Sequence, residues 1–531
     1  MKKILVITLI IFTTVLSCAK KGRPSGGPKD TEPPVLLNAE PKNNSINFTG
    51  QEIELNFNEY VKLKEINKQL IISPPLNIPP QILPQGGASK SIKIKIFDTL
   101  QPNTTYSFNF GKSIVDNNEG NPLSFFKYIF STGSSIDSLT LKGSIRDAIS
   151  KTADDFVSVM LYEIDSTFND SVVFNKKPRY ITNTLDSTTN FNFENLKNGK
   201  YLLTALKEES DNFIFNQKTD KIAFKSEYVT IPNTDNHELI LFKEIENYKA
   251  LKAKQERKNR IKFRYEGEAI EPIAINLLSE TALTSKITKE IDNDTLQYWF
   301  KPVVTIDSLV FTMQHQKVID TFTVRMRKKV KTDSLYFKSS SSSLNFVDNF
   351  KIIPSIPVVK IDSSRIKIID KDSLQIPFST KIDQLTSEIS LVFDKKESQK
   401  YSIDILPNAF TDFFEATNDT LKYRASTRAF KDFGNLRVSL KNIPETPLVV
   451  QLVSIKGDVK YELYGTAKTN FEFLNISPST YNLRVIFDDN NNSKFDTGNY
   501  LKKQQPERVA YHPEDIEVKA NWDVEEQFTL K

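Results

Sequence analysis

Most of this chain consists of short stretches in which hydrophobic and polar residues alternate. In YSFNF, the aromatic residues Tyr106, Phe108 and Phe110 are separated by single polar residues. A period of two is typical of a strand with one buried face. Similar stretches include IELNFNEYVKL, LTLKGSI, FVSVMLYEI, FNFENL and QYWFKPVV, and turn-forming clusters such as DNNEGNP lie between strand-like segments. The pattern predicts an all-β protein.

One stretch departs from this pattern. Residues 249–264, KALKAKQERKNRIKFR, are rich in residues that favour helices, so we expect a solvated helix that links two domains. The same stretch is the one concentrated basic cluster, and its aromatic residues come only at its end. A nucleic-acid surface would interleave aromatic and basic residues along a stripe, and the net charge of the chain is only +5. We therefore expect no nucleic-acid partner.

A long segment of the chain occurs twice. TNFNFENLKNGKYLLTALKEESDNFIFN from Thr189 aligns without a gap with TNFEFLNISPSTYNLRVIFDDNNNSKFD from Thr469, an offset of 280 residues. The alignment pairs Phe191 with Phe471, and the same offset pairs Phe193, Asn195 and Tyr201 with identical residues. The shared pattern resembles the prealbumin-like or carboxypeptidase-regulatory-like β-sandwich family. The repeat predicts a duplicated domain.

Residues 31–133 resemble the bacterial Ig-like domain of S-layer-type proteins. The resemblance rests on TEPPVLLNAEPKN, IELNFNEYVKL and LQPNTTYSFNFGKSIVDNNEGNPLSFFKYIFSTG. A weaker echo starts at Tyr401, where YSIDILPNAFTDFFEATNDTLKYRAST places Asp412 near the position of Asp116. Glu59 and Asp116 would suit a catalytic carboxylate pair, but the resemblance implies a strand edge and a turn for them.

These resemblances divide the chain into modules, as its length also requires, because a single core stops growing beyond about 250–300 residues. We predict an all-β string of Ig-like and prealbumin-like β-sandwich domains behind a lipoprotein signal peptide and a flexible leash. The predicted segments are a signal peptide at 1–17, the lipid-anchored leash at 18–34, an Ig-like domain at 35–133, a prealbumin-like β-sandwich at 138–245, a middle β domain at 262–345, a second Ig-like β domain at 352–430 and a second prealbumin-like β-sandwich at 434–531. The serine run at 339–343 is predicted to be a linker.

The single cysteine, Cys18, follows a short apolar run preceded by two lysines, a pattern typical of a secretory signal peptide. Val15, Leu16, Ser17 and Cys18 resemble the bacterial lipobox. The resemblance implies that Cys18 becomes the first mature residue and carries acyl chains such as palmitate, which would anchor the protein to the outer membrane. The alternative is an apolar tail that happens to end near a cysteine. AKKG after Cys18 lacks the acidic stretch that often signals surface export in Bacteroidetes-type lipoproteins, so the periplasmic and cell-surface leaflets both stay open.

A loop near the C-terminus has the spacing of a calcium site. DDNNNSKFDTGN places oxygen-bearing side chains at the first, third, fifth and ninth positions of an EF-hand-like loop, namely Asp488, Asn490, Asn492 and Asp496. Ser493 stands where such loops have glycine, and Asn499 stands where a bidentate glutamate should close the site. A turn rich in Asn and Asp is the competing interpretation, because these residues bond to their own backbone. Apart from this possible calcium, we expect no cofactor.

No pattern for catalysis is present. The three histidines, His237, His315 and His512, fall in separate predicted domains, and neither a nucleophile elbow nor zinc-ligand spacing occurs. Trp299 and Trp522 would suit sugar stacking, although we expect Trp299 to pack on one sheet face while Tyr298 and Phe300 point to the other.

We therefore predict a non-enzymatic outer-membrane lipoprotein that acts as a multi-domain scaffold or as an accessory subunit of a membrane protein complex for assembly, transport or secretion. The alternatives are a surface protein that binds glycans or matrix and an enzyme whose site the sequence does not reveal. The expected partners are the membrane, through Cys18, and an outer-membrane protein complex.

Overall fold

Short antiparallel strands dominate the computed structural model, which describes residues 29–184, 189–269, 271–291, 293–340 and 342–530. The all-β prediction is confirmed: the described residues contain 41 strands, one short α-helix, α1 (Ile66–Gln69), and three 3-10 turns, Asp170–Phe174, Ser363–Arg365 and Phe430–Asp432. Cys18, the signal peptide and most of the predicted leash lie outside the described residues. The described strands form eleven sheets, which we group into five sandwiches numbered in chain order.

The first sandwich contains β1 (Leu36–Glu40), β2 (Glu52–Leu63), β3 (Ile71–Ser73), β4 (Gln81–Leu83), β5 (Ser89–Lys95), β6 (Thr105–Asn109), β7 (Ile114–Asp116) and β8 (Lys127–Ser131). One sheet has the order β1-β2-β5-β4 with β7 also on β2, and the other has the order β3-β6-β8. The alternating residues Tyr106, Phe108 and Phe110 are all buried between the sheets, as their spacing predicts. The side chain of Asn121 donates to the carbonyl oxygens of Asp30 and Glu32, which precede β1. The end of the predicted leash therefore lies against this sandwich.

The two aligned segments fold alike. The second sandwich contains β9 (Leu139–Asp147), β10 (Ser158–Glu163), β11 (Tyr180–Asn183), β12 (Asn190–Leu196), β13 (Gly199–Lys207), β14 (Lys221–Phe224), β15 (Val229–Ile231) and β16 (Asn236–Leu241). Its sheets have the orders β11-β10-β13-β14, with β15 on β13, and β12-β9-β16.

The last eight strands form the fifth sandwich, β34 (Gly434–Lys441), β35 (Leu448–Val453), β36 (Val459–Gly465), β37 (Asn470–Ile476), β38 (Ser479–Phe487), β39 (Val509–Tyr511), β40 (Ile516–Val518) and β41 (Asp523–Thr529). The sheet orders, β36-β35-β38-β39 with β40 on β38, and β37-β34-β41, repeat those of the second sandwich strand for strand.

The shared motif has a physical basis. Asn195 and Asn475 both adopt left-handed backbone conformations, with φ of 59° and 54°, at irregularities of their strand pairing. Asparagine tolerates this conformation better than most residues. The hydroxyls of Tyr201 and Tyr481 each donate to the carbonyl oxygen four residues earlier. The repeated residues therefore hold the same turn between two strands in both copies.

The fourth sandwich repeats the order of the first. Its strands are β25 (Phe337–Ser339), β26 (Phe350–Pro354), β27 (Val358–Ile361), β28 (Ile366–Ile369), β29 (Phe378–Ile382), β30 (Ile389–Phe393), β31 (Lys400–Ile405), β32 (Phe410–Asp412) and β33 (Leu421–Ser426). The sheets have the orders β25-β26-β30-β29 and β28-β31-β33, while β27 pairs with β32. The linker prediction is wrong for Ser339, because Ser339 pairs with Ile352 in the first of these sheets.

The third sandwich contains β17 (Lys249–Ala250), β18 (Lys254–Arg257), β19 (Arg260–Glu266), β20 (Ala274–Leu277), β21 (Thr284–Lys289), β22 (Thr295–Lys301), β23 (Ser308–His315) and β24 (Val318–Arg325). The helix prediction for residues 249–264 is wrong, since β17, β18 and the start of β19 lie there. Ile261, Phe263 and Tyr265 alternate into the core, and burying this face outweighs the helix propensity of the neighbouring lysines and alanines. The sheet therefore begins at Lys249, ahead of residue 262.

The chain separates into two compact units. Among the described residues, one unit comprises those up to Ser144 with Asp155–Thr204 and Glu227–Glu238, and the other comprises Ile145–Asp154, Ala205–Ser226 and those from Leu239 to Leu530. Each candidate site lies within one or the other unit. In the part of the chain that the structure describes, no helix has the length and apolar character needed to cross a membrane.

Candidate functional site

The predicted calcium loop joins β38 to β39 and is held by bonds to its own backbone. Asp488 is fully buried, and its two carboxylate oxygens accept the backbone N–H groups of Asn492 at 2.9 Å and Ser493 at 2.8 Å. Such charge-assisted bonds to backbone N–H groups stabilise a turn. Asp488 therefore has a structural role in this loop.

The other three predicted ligands lie together. The side-chain amides of Asn490 and Asn492 donate to one carboxylate oxygen of Asp496, at 2.6 and 2.7 Å. Beside them, the Glu507 carboxylate accepts the backbone N–H groups of Asp489 and Asp496, and burial together with the carboxylates of Asp496 and Asp488 raises the pKa of Glu507. Among the described residues, no group of three or more Asp, Glu, His or Cys side chains has an arrangement suited to a metal ion.

Beyond Asp496, the same loop packs against residues 220–226 and 239–245. Tyr500 is fully buried, its ring meets Phe224 edge to face at 5.3 Å, and its backbone N–H donates to the Glu244 carboxylate. The Thr497 hydroxyl donates to the Lys243 carbonyl oxygen at 2.7 Å. These contacts join residues more than 250 positions apart in sequence, so no local pattern predicts them.

Close approach at this contact requires glycine. A Cβ atom on Gly498 would lie 2.6 Å from the ring of Phe242 and 2.8 Å from the carbonyl oxygen of Gln504. Real Cβ contacts are longer than this, so any side chain here would push the loop away from Phe242. Gly498 thus lets Tyr500 reach its buried position.

A second contact holds the fifth sandwich to the segment 145–154. The carbonyl oxygen of Ile149 accepts from the Arg484 guanidinium at 3.0 Å and from the Tyr511 hydroxyl at 2.7 Å. Arg484 is buried and also donates to Gln451, while Lys151 pairs with Asp515 at 2.7 Å. Because both Arg484 and Tyr511 lie on adjacent strands of one sheet, this sheet carries the contact as a unit.

A cleft of about 480 Å³ opens next to the docked loop. Four separate parts of the chain line it, namely residues 245–248, Glu268, residues 315–318 and residues 496–504 of the loop. Asp496 and Asn499 of the predicted calcium loop thus belong to the wall of this cleft. Clefts of this size between structural elements are where small ligands commonly bind.

The aromatic part of the cleft wall is formed by Tyr248 and His315. Their rings lie 4.5 Å apart between centroids, and His315, buried at the end of β23, has its Nε2 atom 3.4 Å from the backbone N–H of Glu271. The hydroxyl oxygen of Tyr248 is buried and has no hydrogen-bond partner among the described residues. Burial raises the pKa of Tyr248 to about 12. Sequence reasoning did not single out Tyr248, since no motif surrounds it.

Trp299 does not offer a sugar platform. As predicted, Tyr298 and Phe300 point into the core of the third sandwich, and Trp299 points to the opposite face. There it is 2% exposed, covered by Ile356 and Phe413 of the fourth sandwich. Its indole N–H donates to Thr288, and the Arg260 guanidinium lies 4.8 Å from its ring centroid. Trp522 is exposed, with the Lys519 ammonium group over its ring.

The carboxylates of the Ig-like segments serve turns. Burial by itself raises the pKa of Asp116, but four backbone N–H donors, from residues 118 to 121, lower it below its ordinary value. Asp412, at the matching position, accepts the N–H groups of Phe414 and Ala416, and burial raises the pKa of its carboxyl. Glu59 lies on β2, and burial together with the nearby Asp116 charge raises the pKa of Glu59.

Comparison with known proteins identifies one domain. Residues 30–132 match the bacterial Ig-like domain family, as the resemblance of this segment predicts. Fold and site together define an all-β multidomain protein that carries a bacterial Ig-like domain.

Solved structures that match this chain include domains 1–6 of the surface layer protein SbsC, which is 11% identical over 91% of this chain and 67% of that chain, with a TM-score of 0.16. A second is SGBP-B of the mixed-linkage glucan utilization locus of Bacteroides ovatus, in complex with a mixed-linkage heptasaccharide, which is 11% identical over 72% of this chain and 91% of that chain, with a TM-score of 0.17. A third is the tandem Ig repeats of Dlar, 11% identical over 34% of this chain and 98% of that chain, with a TM-score of 0.13. No curated protein matches the chain. The assignment of the fold therefore rests on the strand order itself.

Proposed function

We propose that this protein is a non-enzymatic lipoprotein of the outer membrane, anchored through acylated Cys18, that acts as a multi-domain scaffold or accessory subunit of an outer-membrane protein complex. Two or more acyl chains on one cysteine would give a stable anchor, since each buried methylene contributes about 0.8 kcal/mol. A calcium ion at Asp488, Asn490, Asn492 and Asp496 is not needed for this role.

The observation that supports this proposal most directly is the buried junction at Trp299. Sandwiches joined only by linkers move relative to one another by default, whereas an apolar interface restricts them. Here Trp299 is buried by residues of the next sandwich, and the backbone N–H of Lys289 donates to the Leu385 carbonyl oxygen at 2.7 Å across the same junction. A rigid surface spread over several modules suits the positioning of a protein partner.

Extraction from the native membrane tests the proposal. Tagged full-length protein would be purified in a mild detergent, and the co-purifying chains would be identified and quantified by mass spectrometry. We expect an outer-membrane protein in stoichiometric amount, and an N-terminal peptide whose mass carries acyl groups on Cys18.

The matched control is Trp299→Ala, which opens the junction while leaving the anchor intact. We expect this variant to stay in the membrane and to recover less of the partner. Recovery of the wild-type protein alone, under conditions that preserve other membrane complexes, would contradict the scaffold role, and an unmodified Cys18 would contradict the anchor.

A further inference from the structure

We propose that the third sandwich carries a basic surface that binds the headgroups of anionic phospholipids. This surface, which we call the basic edge, is formed by residues 252–258 and 325–331. The proposal goes beyond the scaffold role and does not depend on acylation of Cys18, because the basic edge lies in the folded part of the chain. It is supported by the way the fold joins the two segments, by their charge and by the apolar residues beside them.

The fold places two basic segments side by side. The first, KAKQERK, includes β18, and the second, RMRKKVK, begins at the last residue of β24 and continues beyond it. The backbone N–H of Lys258 donates to the carbonyl oxygen of Lys331 at 3.1 Å. Arg327 donates from its backbone N–H to the side-chain oxygen of Gln255 and from its guanidinium to the Gln255 carbonyl oxygen, both at 2.7 Å. Because Gln255 is buried, these bonds fix the segments against each other.

The basic edge concentrates positive charge. Its two segments contain nine lysines and arginines and one acid, Glu256, although the net charge of the whole chain is only +5. The neighbouring acid Asp333 already pairs with Arg257 and Arg260, at 3.7 and 2.7 Å. Crowded like charges raise the local potential, and a polyanion placed against them lowers it. The exposed members of the basic edge are Lys252, Lys254, Lys258, Arg325, Arg327, Lys328, Lys329 and Lys331.

Apolar side chains lie beside the basic edge. Val303 and Ile306, in the connection between β22 and β23, are 45% and 38% exposed. The backbone N–H of Met326 donates to the carbonyl oxygen of Asp307 at 2.7 Å, so this connection lies next to the second segment. Lysines beside exposed aliphatic residues suit an anionic bilayer, because the lysines meet the phosphates while the apolar side chains enter the headgroup region.

The composition of the basic edge favours a lipid surface over a nucleic acid. Neither segment contains an aromatic residue, whereas proteins that bind single-stranded nucleic acids stack bases on aromatic side chains. Six of the nine basic residues are lysines, which act as point charges. Arginine supplies most of the bidentate contacts by which base edges in a duplex are recognised. The basic edge therefore suits a surface of many similar phosphate groups.

Co-sedimentation with lipid vesicles tests the proposal. The chain from Ala19 onward, which retains every described residue and lacks Cys18, would be mixed with vesicles of phosphatidylcholine alone or of phosphatidylcholine with phosphatidylglycerol. We expect binding to the anionic vesicles only. We also expect this binding to weaken strongly when the salt is raised from about 0.1 M to about 1 M, because the screening length falls from about 10 Å to about 3 Å.

A triple variant locates the binding. Lys328→Ala, Lys329→Ala and Lys331→Ala, combined in one chain, remove three exposed charges from the basic edge. Each lysine near an anionic surface strengthens binding by about fivefold, so we expect affinity on the order of a hundredfold weaker. Thermal stability should not change, since all three side chains are exposed. A second variant, Val303→Ser with Ile306→Ser, should bind about tenfold more weakly without changing the salt dependence.

The matched control removes the same charge elsewhere. Lys360→Ala, Lys367→Ala and Lys381→Ala, combined in one chain, change exposed positions of the fourth sandwich and should leave binding as in the wild type. The basic residues of the leash are common to both triple variants, so they cannot produce a difference between them. The proposal is overturned if neutral and anionic vesicles bind equally, if the control loses as much affinity as the basic-edge variant, or if duplex DNA binds while anionic vesicles do not.

Discussion

The loop after β38 and its counterpart after β13 share one turn but differ in the length of chain between that turn and the next strand. Glu208 accepts the backbone N–H groups of Asn212 and Phe213 at 2.8 Å each, as Asp488 does from Asn492 and Ser493. All these positions are related by the offset of 280 residues. Phe213 and Ser493 also share a left-handed backbone, with φ of 60° and 62°.

The two loops differ in the number of residues between the turn and the next strand. The segment after the turn runs only to β14 at Lys221 in the second sandwich, but in the fifth it continues to β39 at Val509 and carries Tyr500. Both copies thus contain the acid-rich turn that the sequence suggests as a possible metal site. The additional residues of the fifth sandwich supply the contact of Tyr500 and one wall of the cleft. The comparison indicates that the acid at the first position serves the turn in both sandwiches.

The largest expected effect comes from Tyr500→Ala. Truncating a buried aromatic typically costs about 3–5 kcal/mol, and here the loss falls on the contact with residues 220–226 and 239–245. We expect these two segments to become accessible to hydrogen exchange and to protease, with a lower midpoint of denaturation. Leu501→Ala, at the exposed neighbouring position, is the control and should change neither. Equal protection in both variants would show that the docking does not depend on Tyr500.

Removal of the acid at the first position of each turn, Asp488 or Glu208, should lower the free energy of unfolding by different amounts in the two copies. Asp488→Ala removes a buried carboxylate that accepts two backbone N–H groups of an exposed turn, and because hydrogen bonds to charged groups contribute about 1.5–3 kcal/mol, we expect a loss of about 3 kcal/mol. Glu208→Ala should cost about 1.5 kcal/mol or less, since only one of its oxygens accepts and the other is buried without a partner. Chemical denaturation of both variants measures the difference. A larger loss for Glu208→Ala would overturn this ranking.

Particular residues show how far sequence reasoning reaches. The spacing of Tyr106, Phe108 and Phe110 predicts a strand because burial on one sheet face imposes that spacing locally. The basic stretch at 249–264 is misread because its helix propensity is a weak preference that sheet packing overrides. Tyr500 and Tyr248 are missed for another reason. Their positions are set by contacts with residues distant in sequence, and such contacts leave no local pattern.

The pH dependence of stability sharpens the comparison further. Burial raises the pKa of Glu208 above its ordinary value of 4.5, although two backbone N–H groups partly oppose the shift. The folded protein therefore holds this proton more tightly than the unfolded chain, so the contribution is present below pH 4.5 and is lost as pH rises through the folded pKa. We expect Glu208→Gln to flatten the decline in stability above pH 4.5, measured by denaturation at a series of pH values. The exposed neighbour variant Glu209→Gln should follow the wild-type profile, and an unchanged slope in Glu208→Gln would refute the assignment.

The smallest effect expected is that of Ser493→Gly. Serine at φ 62° carries the steric cost of a left-handed backbone, which glycine avoids, but glycine also adds entropy to the unfolded chain. We expect a net gain of about 0.5 kcal/mol in the free energy of unfolding. Asn491→Gly is the matched control, because asparagine at φ 61° already tolerates this conformation and little remains to be gained.

The same pair of variants tests the calcium interpretation of the loop. Ser493→Gly restores the glycine that calcium loops have at their sixth position, so a metal site would gain more from it when calcium is present. Because the oxygens of Asp488 are already bonded to backbone N–H groups, we expect the gain to be the same with calcium as with a chelator. A gain that grows with calcium concentration, and that disappears when Asp496→Ala is added, would instead make this loop a metal site and the turn its apo form.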